Sequence, residues 1–182
     1  MPQFSEYRFI NSRFCATCSP KDYIVNVHGF SESDDMMTIL LEDEEHKHPT
    51  FSNITEAFKA LSEQSQPGDA VFIQFSGHGG RVIDASNDQD ADTYDEVIAP
   101  SDYETTGLIR DTLIYKTLLA PMRYGVTVTV VFDCCDTGMM LELPYSWSTR
   151  VDRPEVTPKV RQRLCNCSTL TPILLNILRW FC

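Results

Sequence analysis

The amino-acid sequence predicts a single α/β domain with a mainly parallel central sheet flanked by helices. Three observations predict it. Two near-continuous apolar runs of strand length, 70–75 (AVFIQF) and 126–132 (VTVTVVF), read as strands covered on both faces. Helix-period segments alternate with such runs, the pattern of βα units. Both strong runs end in turns loaded with reactive side chains, as expected at the carboxyl edge of an open sheet. A chain of 182 residues suits one domain with one sizeable core.

In chain order, residues 1–21 are polar and irregular. Residues 23–27 form a short β-prone run ending at His28-Gly29, and 36–41 (MMTILL) reads as a buried strand. The acidic, histidine-bearing stretch 42–48 reads as a surface loop ending at Pro49. Phe51, Ile54, Phe58 and Leu61 recur at helical spacing, so 50–64 predicts a helix, stopped by Pro67-Gly68. The run 70–75 leads into Ser76-Gly77-His78-Gly79-Gly80. A long acidic loop follows at 84–96, then a short strand at 96–99. Asp111 is placed to cap a helix over 112–119, closed by Pro121. The run 126–132 ends in Asp133-Cys134-Cys135-Asp136-Thr137-Gly138. From Val151 the composition changes to scattered prolines, basic residues and cysteines, and the βα pattern is not extended. The expected organisation is an irregular segment at 1–21, a catalytic-type domain at 22–149 and a divergent tail at 150–182.

The formal net charge of −11 argues against nucleic acid or an anionic membrane surface as a main partner. It suits cationic ligands, either metal ions or substrates carrying Lys or Arg, although acidity also serves solubility alone. Residues 1–12 contain no apolar signal region, and no stretch approaches the length of a membrane span. A cytoplasmic location is therefore expected. Seven cysteines, an odd number with two adjacent, do not read as a disulfide framework. Cys15 and Cys18 have C-x-x-C spacing, but Cys165 and Cys167 are too close together and lack a nearby His, so a structural zinc site is not expected.

The chemistry concentrates at the two strand ends. If those strands are parallel neighbours, His78 and Cys135 emerge on one edge of the sheet. A thiol becomes a strong nucleophile when an adjacent base takes or shares its proton, and His is the usual base. Gly77, Gly79 and Gly80 permit close backbone approach, so a substrate carbonyl can meet N–H donors there as an oxyanion hole, with Gly79 the candidate donor. Taken singly, a strand-end Cys is more often a small buried hydrophobe and a His between glycines a turn residue. Together, 57 positions apart, they form a candidate catalytic pair, a separation similar to that of caspase-type sequences.

FSGHGG at 75–80 and FDCCDTG at 132–138, followed by LELPY at 141–145, resemble the signature blocks of metacaspases. YDEVIAPSD at 94–102 and GLIRD at 107–111 match in order and spacing, so the resemblance runs from about His28 to Tyr145. It implies a caspase-like fold and a cysteine endopeptidase in which His78 is the general base and Cys135 the nucleophile. It further implies polypeptide substrates with Arg or Lys at P1, paired with an acidic pocket. Asp133 matches a pocket position. Ser76 is a further substrate-binding candidate, as is Asp22, because Cys18 to Asp22 resembles a Cys-x-Asn-Asp turn with one extra residue. No cofactor is required, but many relatives respond to calcium, and the matching positions are Asp95 and Asp111. Thr112 stands where a second acid is common, which should weaken that site. An EF-hand reading of Asp88, Asp90 and Asp92 fails, because Thr93 replaces the glycine and Ala99 the final Glu.

The chain departs from the family at four places. Asp136 and Thr137 follow the nucleophile where His and Ser are usual; an anion pointing at Cys135 would disfavour its thiolate. The first core strand is not recognisable in 1–21. VNVHGF at 25–30 joins segments the family separates, shortening a helix. The tail after Arg150 does not resemble the small-subunit region that completes the sheet, so the fold reads as incomplete, with an exposed sheet edge and apolar patches. Arg150 and Arg153 are candidate self-cleavage points. The competing reading is an inactive or truncated pseudo-metacaspase acting through protein binding. A redox switch at Cys134 and Cys135 is disfavoured because vicinal disulfides are strained.

Overall fold

The computed structural model describes residues 7–8, 20–83, 94–135, 140–141, 145–146, 159–160 and 174–179. Its elements, in order, are β1 (Tyr7–Arg8), α1 (Pro20–His28), α2 (Phe51–Gln64), β2 (Ala70–Ser76), β3 (Gly79–Ile83), β4 (Tyr94–Ile98), α3 (Tyr103–Thr106), β5 (Ile109–Arg110), α4 (Asp111–Ile114), β6 (Thr127–Asp133), β7 (Tyr145–Ser146), β8 (Lys159–Val160) and β9 (Leu174–Arg179). A π-helical turn over Tyr115–Leu119 continues α4.

The central sheet has the order β1-β2-β6-β9, and every pair in it is parallel. This is the α/β architecture the sequence predicts. Its larger apolar face packs Val71, Ile73 and Phe75 of β2 and Val128, Val130 and Phe132 of β6 with Ile54, Phe58 and Leu61 of α2 and with Ile114 and Leu118. The spacing of those α2 residues is why that segment is helical and which face it buries. Thr50 caps α2, its hydroxyl accepting the Asn53 N–H at 3.3 Å. Across the sheet a smaller cluster of Ile24, Phe30 and Met37 packs with Phe72, whose ring meets Phe30 edge-on at 6.2 Å. Helices thus cover the sheet on both sides, as continuous apolar strands require.

Four expectations are corrected. Residues 23–27 are helical, within α1, because only Ile24 of that run is fully buried, one contact face being enough. Residues 36–41 form no named strand; Met37, Leu40 and Leu41 are buried, but the backbone pairs through isolated bridges, at Met37 and, in parallel, from Leu40 to Lys47. Asp111 is the first residue of α4 rather than its cap, which is Arg110, because β5 runs straight into the helix. Backbone at Tyr7–Arg8 pairs with β2 and at Leu174–Arg179 with β6, so both segments read as outside the sheet contribute a strand to it, and β6 is not an edge.

A separate antiparallel sheet, β3-β4-β5, grows from the end of β2. It carries two carboxylate–guanidinium pairs, Arg110 with Asp95 at 2.5 Å and Arg81 with Glu96 at 3.5 Å.

Candidate active site

Strands β2 and β6 are adjacent, parallel and in register from Ala70 opposite Thr127 to Ser76 opposite Asp133. His78 and Cys135 each lie two residues beyond that last pair. One edge of the sheet therefore receives both, together with Ser76 and Asp133. The strand ends stay joined past the ladder, since the Gly77 N–H donates to the Asp133 carbonyl at 3.3 Å. A side chain at Gly77 would not fit easily: its Cβ would come 3.0 Å from the Phe75 ring. Beyond Gly77 the chain turns into β3, where Gly79 pairs with Ile98 and the His78 carbonyl accepts the Ala99 N–H at 2.9 Å. His78 is thus held from both sides by backbone bonds while its side chain is exposed.

Cys134 and Cys135 divide the labour of the other end. Cys134 is half-buried and packs against the main core, behaving as a small apolar residue. Cys135 is exposed and in no disulfide. Asp133 is half-buried. Ser76 is buried, and its Oγ accepts a hydrogen bond from Gln74 Nε2 at 3.0 Å. Asp22 lies exposed in the first turn of α1 rather than at a strand end. Asp136 and Thr137 lie outside the described residues, as do Asp88, Asp90, Asp92, Thr93, Arg150, Arg153 and the other five cysteines.

Asp95 and Asp111 are both buried, on β4 and at the start of α4. The Asp95 carboxylate accepts from Arg110, and Asp111 Oδ1 accepts the Thr112 N–H at 2.6 Å. Calcium needs six to eight oxygens. Among the described residues no group of three or more His, Cys, Asp or Glu is placed to hold a metal ion. These two acids alone do not make a calcium shell.

A cleft of about 250 Å³ opens beside His78. Phe75, Pro49 and Pro100 give it apolar walls, with Tyr103 and Glu42 also lining it. The walls are tied together: the Ser101 N–H donates to the Pro49 carbonyl at 2.9 Å and the Phe51 N–H to Asp102 Oδ1 at 2.7 Å. The sequence offered Glu42 only as part of a surface loop. The APSD portion of the 94–102 block was the available signal for Tyr103 and its neighbours. Among the described residues no helix is long and apolar enough to cross a membrane.

Residues 16–144 match the protein family described as "Metacaspase, peptidase C14 domain". Metacaspase III c of Phaeodactylum tricornutum is 42% identical over 124 residues, covering 68% of this chain and 36% of that relative. Metacaspase-1A of Neurospora crassa is 39% identical over 146 residues, covering 78% and 32%. Metacaspase-1 of Saccharomyces cerevisiae is 37% identical over 145 residues, covering 78% and 33%. The chain thus spans about a third of the length of these relatives. The crystal structure of protein GSU0716 from Geobacter sulfurreducens superposes with a TM-score of 0.52 at 25% identity, over 71% of this chain and 50% of that one.

Proposed function

The chain belongs to the metacaspase family, peptidase C14, and from that premise we propose that it is a cysteine endopeptidase that cleaves after Arg or Lys with Cys135 as nucleophile and His78 as base. The observation that carries this reading is the in-register parallel pairing of β2 and β6, which delivers both residues to one sheet edge. In the proposed reaction His78 takes the thiol proton of Cys135. The thiolate adds to the scissile carbonyl carbon, and the oxyanion is met by backbone N–H donors, Gly79 among them. As the C–N bond breaks, His78 returns the proton to the leaving amine. Water, deprotonated by His78, then cleaves the thioester and regenerates Cys135. Asp133, beside Ser76 at the end of β6, supplies the carboxylate for a cationic P1 side chain, with Asp22 a more distant candidate. Calcium is proposed as an activator only, outside the bond-breaking steps. Asp95 and Asp111 leave most of its coordination shell to other oxygens.

The test is hydrolysis of a fluorogenic peptide with P1 Arg, run with and without calcium and against the same peptide with P1 Asp. The proposal expects cleavage of the Arg peptide alone, abolished by Cys135→Ala. No Cys135-dependent turnover would instead favour the inactive, partner-binding reading, which Asp136 beside the nucleophile motivates.

A further inference from the structure

We infer that the cleft beside His78 is the subsite for the residue on the leaving-group side of the scissile bond, P1′, and that it selects an apolar, above all aromatic, side chain there while disfavouring an acidic one. This rests on the reading of His78 and Cys135 as base and nucleophile. The placement follows from proton traffic. The base that takes the thiol proton must hand it to the leaving nitrogen, so that nitrogen lies within hydrogen-bond reach of the imidazole. The P1′ side chain branches from the next carbon. The cleft is lined by His78 and Gly77 but not by Asp133, Cys134 or Cys135, so it opens on the base's side of the scissile bond, away from the acyl side.

Size and chemistry fix the occupant. At about 250 Å³ the cleft falls below the roughly 300–1,000 Å³ that holds a drug-sized ligand, and suits a single side chain. Phe75, Pro49 and Pro100 offer apolar contact, and Tyr103, 47% exposed, offers a ring for an aromatic partner. Glu42 is the carboxylate among the lining residues, and with a net charge of −11 it opposes an anionic P1′ group. The cleft is also braced before substrate arrives. The bonds from Ser101 to Pro49, from Phe51 to Asp102 and from Ala99 to His78 join its walls to each other and to the base.

The experiment uses a peptide series with P1 Arg fixed and P1′ varied, read by mass spectrometry as kcat/KM. Phe or Leu at P1′ should exceed Asp by about 10-fold or more. Tyr103→Ala should erase most of the advantage of Phe, and Glu42→Gln should raise the Asp peptide toward the others. Labelling of Cys135 by an arginyl chloromethyl ketone, which occupies only the acyl side, should proceed equally in wild type and both variants. A flat P1′ profile with labelling intact overturns the subsite. So does a profile that neither variant changes. Failure of the wild-type chain to label at Cys135 overturns the catalytic reading, and the subsite with it.

Discussion

His78 and Cys135 sit at equivalent distances past paired strand positions, yet the two ends are held by different forces. At the end of β2 the backbone does the holding. Gly77 bonds to Asp133, the His78 carbonyl to Ala99, and five register pairs of β3 with β4 follow at once. The end of β6 shares that bond at Asp133, and beyond it a side chain takes over: Cys134 anchors on the core and Cys135 projects from the next position into solvent. Each group is therefore vulnerable to a different change. His78 should be displaced by changes that disturb close backbone packing. Cys135 should be displaced by changes in how its neighbour fills the core.

The largest expected effect removes either end. Cys135→Ala and His78→Ala should each lower kcat/KM by at least about 1,000-fold, and the double variant should be little worse, because the pair acts as a unit. Both residues are exposed, so thermal unfolding should be almost unchanged. Next comes the scaffold that both ends share. Ile73 and Val130 are buried register partners on β2 and β6. Ile73→Ala should cost about 2–5 kcal/mol in chemical denaturation by emptying core volume. It should reduce activity only in proportion to the unfolded fraction.

One substitution at each end separates the two modes of holding. Gly77→Ala places a Cβ 3.0 Å from the Phe75 ring. It should cost about 10- to 100-fold in kcat/KM through misplacement of His78, with modest loss of stability. Cys134→Ala removes a half-buried sulfur packed against the core and should cost about 1 kcal/mol with a few-fold loss of rate. If Cys134→Ala proves the more damaging to rate, the two ends are held in the opposite way.

The smallest effect lies in the loop that carries Glu42. Desolvation raises the Asp43 carboxyl, but bonds from the His46 ring and backbone and from the Glu45 backbone together outweigh it and hold it below its ordinary value. A depressed carboxyl braces the loop above the ordinary Asp range and releases it as pH falls through the lowered value. Protection of the His46 amide, measured against the intrinsic exchange rate, should fall there, and Asp43→Asn should show the same loss at neutral pH with no change in melting temperature.

The strands that build the site were the most readable part of the chain. The runs 70–75 and 126–132 are apolar, of strand length and bounded by Pro67-Gly68 and by Gly125, whose φ of +87° favours glycine. The candidate site was readable for the same reason, because topology sends the ends of parallel neighbours to one edge. Elsewhere, apolar runs reported burial without reporting conformation. Met37, Leu40 and Leu41 of the run 36–41 are buried yet pair only through isolated bridges, and 23–27 use β-prone residues on a helix whose single buried face needs little more than Ile24. The partners of β1 and β9 lie far away in sequence, and a pairing of that range leaves no local periodicity. The cleft beside His78 was invisible because Glu42, Pro49 and Tyr103 come from separate segments of the chain that meet only in the fold.

The central claim is that Cys135 is the nucleophile and His78 activates it. Mass-spectrometric labelling with an arginyl chloromethyl ketone tests it most directly, comparing the wild-type chain with His78→Ala and locating the adduct by peptide mapping. One adduct per chain is expected, on Cys135, formed rapidly in wild type and at least about 100-fold more slowly in His78→Ala. An adduct on Cys134, equal rates in the two proteins, or no adduct at all would contradict it.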